Sequence, residues 1–401
     1  MVDYALPVDQ PPDGFDPADV IPPPLPDRQL VVNALALDLS GTCNLACRYC
    51  AEAATQPTRR PMRAETLEAA WGFLCGNGTP PRGASLRLGS GEPLLALDSL
   101  RRIAELAGAA RTTTGEKVHV FLTTNGTRVD EQVGAWLIAS GWHVTISLDG
   151  SRAVHDAWRV HRQGRGTFDQ VARATARLAG SMADRLKVTA VLCRGANPAE
   201  VFDAIAALGV QRIELVPVAH ASAEVLPDES DIARYEEFVQ DHACGYLRAQ
   251  RGGPELVRFA DRVARAMGYD TRRVLCGAGR TFFGVGPEGD LYPCFRFIGL
   301  DSYRLGSLAK GLDQAAAAAF RSGAGRPNDQ RVHCQRCWAA PLCGGPCFAC
   351  AEMFGPGDGE PIGLHCRYVL ADARAAVWLV GQLRRSHPEA LLSFIPYTLR
   401  L

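Results

Sequence analysis

Between about residues 30 and 218, short apolar runs alternate with amphipathic stretches. The runs 31–39, 85–88, 117–123, 143–147, 187–193 and 212–217 read as strands. The stretches 63–75, 97–110, 130–140, 167–180 and 198–208 carry apolar residues at the three- and four-residue spacing of helices with one buried face. Strands separated by helices predict a parallel βαβ array. Six strands point to a partial (β/α)6 barrel, an α/β fold short of the full eight. The pattern alone also fits an open, doubly wound sheet.

The flanks differ. Residues 1–29 form an arm: 1–28 hold eight of the 26 prolines and six aspartates, which rules out a regular helix or a central strand. The arm is expected to lie extended, draped on the domain or disordered. Residues 219–269 read as a helical connector. Residues 270–367 are rich in Gly, Pro and Cys with little periodicity, so they are expected to be loop-rich and to need metal staples. Residues 368–401 are expected to give a closing helix, 368–385, and a tail.

Composition narrows the function classes. The chain has 401 residues, with 43 Lys plus Arg against 43 Asp plus Glu. A zero net charge gives no nucleic-acid footprint. No apolar run reaches the roughly 20 residues that span a bilayer, and no signal peptide is evident. The expectation is a cytoplasmic protein with no nucleic-acid or membrane partner. In a reducing compartment, 14 cysteines point to metal or catalysis rather than disulfides. Cys75, Cys193 and Cys244 read as small buried apolar residues.

Three of the cysteines, Cys43, Cys47 and Cys50, form C-x3-C-x2-C just after the first strand. Three thiolates can hold three irons of a [4Fe-4S] cluster and leave the fourth open; alone, they also fit an incomplete zinc site. With Tyr49 before the last Cys, the triplet resembles the signature of radical S-adenosylmethionine (SAM) enzymes. The resemblance implies that the open iron chelates SAM, that an electron from a flavodoxin or ferredoxin cleaves it, and that a 5′-deoxyadenosyl radical removes hydrogen from substrate. It also favours the partial barrel, whose active-site loops follow the strands.

The other strand-end motifs extend the resemblance. Gly89-Ser90-Gly91-Glu92-Pro93 is similar to the family's Gly-Gly-Glu-Pro, with Ser90 in place of a Gly; it implies contacts to the SAM amino group. Thr123-Thr124-Asn125-Gly126 follows the third strand and Ser147-Leu148-Asp149-Gly150 the fourth. By resemblance Ser147 helps hold the SAM carboxylate, and Val216 and Pro217 pack the adenine. Arg159 is a candidate partner for a carboxylate. Asp149, His155 and Asp156 are acid/base candidates by position only. Each piece alone reads as well as a turn or a surface ion pair; their order along the chain gives them weight.

Cys276, Cys294, Cys334, Cys337, Cys343, Cys347 and Cys366 form C-x12-G-x4-C, then C-x2-C-x5-C-x3-C, then C. A zinc ribbon is the plainer reading of the C-x2-C pair. The full pattern resembles the SPASM extension of certain radical SAM enzymes, which implies two auxiliary [4Fe-4S] clusters and three clusters in all. By that resemblance Cys276, Cys294 and Cys347 ligate the first, and Cys334, Cys337, Cys343 and Cys366 the second. No Cys lies between Gly277 and Gly286, so the first is expected to keep an open iron able to take a substrate thiolate, with Cys350 as the alternative fourth ligand.

SPASM enzymes often modify peptides. The stretch from Cys276 to the Arg304-Leu-Gly-Ser segment resembles thioether-forming maturases, including those for ribosomal peptides and for the quinohemoprotein amine dehydrogenase subunit. Phe295 stands where sulfatase maturases carry a catalytic Asp and disfavours formylglycine formation. The expectation is a peptide- or protein-modifying enzyme forming a thioether or carbon–carbon crosslink, its extra electron leaving through the auxiliary clusters. Only 42 residues precede Cys43, so leader recognition is assigned to a separate binding protein or to direct substrate contact. The alternatives are an oxidoreductase for a small sugar or nucleoside and a non-catalytic metal-bound scaffold.

Overall fold

The computed structural model describes residues 10–23, 32–51, 60–76, 78–249 and 253–395. Parts of the expected arm (1–9 and 24–29), the start of the first expected strand and the tail beyond 395 lie outside the described residues. Within them, the six expected strands form β1 (Ala34–Leu37), β2 (Ser85–Leu88), β3 (His119–Thr124), β4 (His143–Ser147), β5 (Leu186–Leu192) and β6 (Arg212–Pro217). They pair in chain order and all in parallel. Helices Ala64–Cys75, Leu97–Ala109, Glu131–Ser140, Phe168–Met182 and Pro198–Ala206 make the crossovers.

Local chemistry sets the helix ends. The Asp130 carboxylate accepts from the Val133 N–H at 2.8 Å. Asn197 accepts from the Ala199 N–H at 3.1 Å just before Pro198. Both satisfy helix donors that have no partner within the helix.

The sheet has two unlike faces. On β5, Leu186, Val188, Ala190 and Leu192 are buried, while Lys187, Thr189 and Val191 between them are half-buried. Such alternation departs from the continuous apolar run of a parallel strand packed on both sides. The cross-strand register aligns Thr123, Thr145 and Lys187 in one row, and Ser147, Thr189 and Glu214 in the next. Lys187 Nζ and Thr189 Oγ1 donate to Glu214 Oε2 at 2.7 and 2.9 Å. One face is thus a polar floor, and the other packs on the helices.

The C-terminal segment is loop-rich, and it also adds short strands to the sheet. After β7 (Glu255–Leu256), which pairs with β6, the chain adds β8 (Phe282–Val285) in parallel beside β1. The antiparallel strands β9 (Asp290–Tyr292), β10 (Gly306–Ser307) and β11 (Gly311–Leu312) follow. One 11-stranded sheet runs from β11 to β7, an unclosed barrel that joins the barrel region to the second cysteine region. These strands are two to four residues long, too short to show periodicity. Gly284 permits the join: a Cβ there would lie 2.6 Å from the Cys294 carbonyl oxygen. The arm packs back on this segment, with Val20 buried and the Phe15 ring 5.8 Å from Trp338.

Three helices close the C-terminal side: Glu229–Ala249, Val257–Ala266 and Gly363–Ser386. The last begins five residues before its expected start. The buried Asp372 binds them together, accepting from Tyr235 Oη at 2.7 Å and from Arg258 Nε at 3.2 Å. Asp372→Ala strands a buried guanidinium and should cost about 3 kcal/mol, read as a lowered urea midpoint of the anaerobic protein. Tyr235→Phe should cost about 1 kcal/mol.

Candidate active site and cysteine groups

The cysteine loop after β1 is held from two sides. From the β2 side, the Glu92 N–H donates to the Thr42 carbonyl at 2.9 Å. Gly91 has φ +60°, and a Cβ there would lie 2.2 Å from the same oxygen, so only glycine fits. From the other side comes a strap, residues 158–162. Ala46 and Arg48 donate to the carbonyls of Val160 and Trp158 at 2.8 and 2.9 Å. The Arg162 guanidinium donates twice to the Cys43 carbonyl, at 2.8 and 3.1 Å. Sequence reasoning missed this strap, because it pairs residues more than a hundred positions apart and no local pattern signals it.

Glu92 is fully buried, with Oε1 accepting from Thr124 Oγ1 at 2.7 Å and the Leu94 N–H at 3.0 Å. Oε2 accepts from the Asn125 N–H at 2.7 Å. Burial raises its pKa, and these bonds resist the rise. Asn125 Nδ2 donates to Asn44 Oδ1 at 2.9 Å and lies 3.7 Å from Cys43 Sγ. The third strand-end motif is thereby joined to the cysteine loop and to Gly91-Glu92-Pro93; Ser90 beside them is buried.

A second network ties Tyr49 to the fourth strand end. Tyr49 Oη donates to Asp149 Oδ2 at 2.6 Å, and Arg159 Nε donates to the same oxygen at 2.9 Å. Asp149 Oδ1 accepts from the Val191 N–H of β5 at 3.0 Å. The Arg159 guanidinium also lies over the Tyr49 ring, 5.3 Å from its centre. Burial is the largest single influence and works against the Arg159 charge, but Asp149, Tyr49 and Cys47 together outweigh it and hold the guanidinium above its ordinary pKa. His155 is buried too; Nδ1 accepts from the Asp149 N–H at 3.2 Å and Nε2 meets Thr167 Oγ1 at 2.9 Å. Burial pushes its pKa down to about 4, so the ring is neutral at pH 7. Asp156 accepts from the Thr167 and Phe168 N–H groups at 2.7 and 2.8 Å, at the start of a helix. The three acid/base candidates are therefore engaged in holding the backbone. Ser147 sits half-buried at the end of β4; Val216 and Pro217 end β6 beside Val191 and Leu192.

The cysteines sort by electrostatic neighbourhood. Cys50 raises the pKa of Cys43, and Cys43 and Cys50 both raise that of Cys47. Cys337 and Cys343 raise the pKa of Cys334, Cys343 raises that of Cys337, and all three raise that of Cys366. Cys347 raises that of Cys276, and Cys276 and Cys347 raise that of Cys294. Burial is the largest cause of each of these rises, pushing Cys47 and Cys334 up to about 12 and Cys337 to about 11. Cys347 moves down, to about 5, because its sulfur accepts a hydrogen bond from Cys350. All 14 thiols are free of disulfides. Among the described residues, no three His, Cys, Asp or Glu are spaced to hold one metal ion. Grouped, buried thiols free of disulfides are the donor set that iron–sulfur clusters take.

Residues 37–208 match the radical SAM superfamily. Fold, strand-end loops and match agree, and the chain is an enzyme with a radical SAM domain; that class implies SAM and a [4Fe-4S] cluster. The chain is 24% identical over 333 residues to a serine-type anaerobic sulfatase-maturating enzyme of Klebsiella aerogenes, covering 81% of each chain. It is 28% identical over 274 residues to the mycofactocin maturase MftC of Mycolicibacterium smegmatis, covering 65% of this chain and 63% of that one. Among solved structures, native anSMEcpe with bound AdoMet and Cp18Cys peptide superposes with a TM-score of 0.70 at 20% identity, over 91% of this chain and 99% of the other. This likeness establishes the shared fold.

The Asp149 network makes a graded prediction. Asp149→Asn sets an amide N–H or a lost charge against buried Arg159 and should cost about 3 kcal/mol. Tyr49→Phe removes one hydrogen bond to a charged acceptor and should cost about 1.5 kcal/mol. Anaerobic thermal or urea melts check the order.

Proposed function

We propose that this enzyme modifies a peptide or protein substrate and closes a thioether or carbon–carbon crosslink. Cys43, Cys47 and Cys50 are assigned to the SAM-binding cluster. Cys334, Cys337, Cys343 and Cys366 are assigned to one auxiliary cluster, and the group around Cys347 to another. When bound, SAM and its cluster supply a 5′-deoxyadenosyl radical, with a flavodoxin or ferredoxin as the electron source.

The chain's own residues prepare the site. Gly91 and Arg162 fix the backbone of the cysteine loop, and Glu92 fixes the third strand end beside it. Gly91, Glu92, Pro93 and Asn125 are assigned to the SAM amino group, and Ser147 and Arg159 to its carboxylate. Val216 and Pro217 offer an apolar edge for adenine. The polar floor of Thr123, Thr145, Lys187, Thr189 and Glu214 offers hydrogen bonds to an extended polar substrate.

One observation carries the peptide reading. The Cys347 group abuts the barrel face: Cys276 acts on Arg87, raising its pKa against burial, and that guanidinium lies over Phe121 of β3 and Phe282 of β8, at 4.9 and 5.6 Å. A redox group there borders the same face as the SAM loops. The maturases named above support this, since they align over 65% and 81% of the chain. Crosslinking is favoured over formylglycine formation because Phe295 offers no base; its ring is covered by the Arg296 guanidinium at 5.5 Å. The proposal includes a separate leader-binding protein, if the substrate carries a leader.

Two tests follow. Cys43, Cys47 and Cys50 changed together to Ala should abolish 5′-deoxyadenosine release, whereas Cys334→Ala should preserve it and lower product yield. Retained release in the triple variant refutes the assignment. Co-expression with a short Cys-containing peptide encoded nearby should yield product lighter by two hydrogens, with one fewer alkylatable thiol for a thioether. A hydrazide-reactive aldehyde instead would establish formylglycine chemistry.

A further inference from the structure

The first auxiliary group, counted from its spacing pattern, has three ligands and an open position. Cys350 changes that count. It is the third residue of the helix Phe348–Phe354, whose N-cap is Cys347, and cap and third-position side chains lie side by side. The two thiols share a hydrogen bond, and Cys294 is also among the near charges around Cys350. Cys294 in turn neighbours Cys276 and Cys347. Cys350 thus joins the Cys276, Cys294 and Cys347 group through Cys294 and Cys347.

The remaining cysteines show that this grouping is selective. Burial alone shifts Cys75. Cys193 faces Asp149 and Arg159, and Cys244 accepts from Gln240 at 3.6 Å within its own helix. None of these three has a thiol neighbour of that kind. The Cys350 side is also sealed: Cys350 is 6% exposed and Cys294 8%, with Phe348, Ala349 and Ala351 at 2% or less. The nearby Arg296 is a cation and has no lone pair to give iron.

We propose that Cys350 is the fourth protein ligand of the first auxiliary cluster, so that Cys276, Cys294, Cys347 and Cys350 close it to outside ligands. This rests on the reading that the C-terminal cysteines hold clusters. A closed cluster exchanges electrons through its sulfurs and offers no iron to a substrate thiolate.

The test uses the full chain carrying Ala at Cys43, Cys47 and Cys50, in which every remaining cluster is auxiliary. Reduced samples are compared by electron paramagnetic resonance with and without excess 2-mercaptoethanol, and again after mild ferricyanide oxidation. With Cys350 present, the spectra should not shift with thiol, and no three-iron signal should form. Cys350→Ala should shift one cluster's spectrum, make it respond to the added thiol, and give a three-iron signal with loss of an iron on oxidation. A thiol-responsive spectrum with Cys350 intact, or a Cys350→Ala spectrum unchanged in all three respects, overturns the proposal. If Cys350→Ala fails to fold, the thiol response of the Cys350-containing chain decides alone. Absence of iron and sulfide from the Cys350-containing chain would overturn the auxiliary-cluster reading itself, and this inference with it.

Discussion

The buried Asp149 carboxylate is the constraint on which the site's geometry depends. It accepts from Tyr49 in the cysteine loop, from Arg159 at the start of the strap and from the Val191 amide on β5. Three elements distant in sequence meet on one acceptor. A carboxylate without these donors would be intolerable at zero exposure, so the network forms as a unit or not at all. Its consequence is rigidity: Tyr49 lies between Cys47 and Cys50 and is fixed by its hydroxyl and by the guanidinium over its ring. A site that generates a radical needs a loop that does not drift.

The second constraint is the cost of buried thiols. Most of the grouped cysteines are held protonated by burial and by one another, so metal binding must displace protons and repay that cost. Under the proposed assignment the C-terminal segment would do so. Its strands are short, yet they continue the barrel sheet through β8, with Cys276 before β8 and Cys294 after β9. Metal binding and completion of the sheet are thereby linked: a cluster that ties Cys276 to Cys294 and Cys347 also fixes both sides of the β8–β9 hairpin.

Much of the barrel was legible in the sequence. All six strands appeared where apolar runs stood, most within a residue or two, because each carries a buried alternate row that only a strand can present. The cysteine triplet, Gly91 and Glu92 were legible because their chemistry is local. The strap and Arg162 were not: they act through backbone carbonyls, which any residue supplies. The strands β8–β11 were hidden by brevity. Asp149, His155 and Asp156 stood out by position, but position does not reveal that their polar atoms face backbone amides and buried donors.

A closed auxiliary cluster alters the account of how a crosslink would form. If no iron is open to substrate sulfur, the sulfur must be oriented by ordinary contacts, and the polar floor is the surface able to supply them. Lys187 and Glu214 are paired and half-buried, a neutral pair that presents hydrogen bonds without a net charge, as an extended peptide backbone requires. Glu214 is held below its ordinary pKa by Lys187 despite burial, so it stays an acceptor and cannot serve as an acid near neutral pH. The selectivity of the reaction then lies in the rows of threonines and the Lys187–Glu214 pair rather than in metal–sulfur bonding. On the proposed assignment, a cluster near Arg87 with a closed ligand set would keep only the role of receiving an electron.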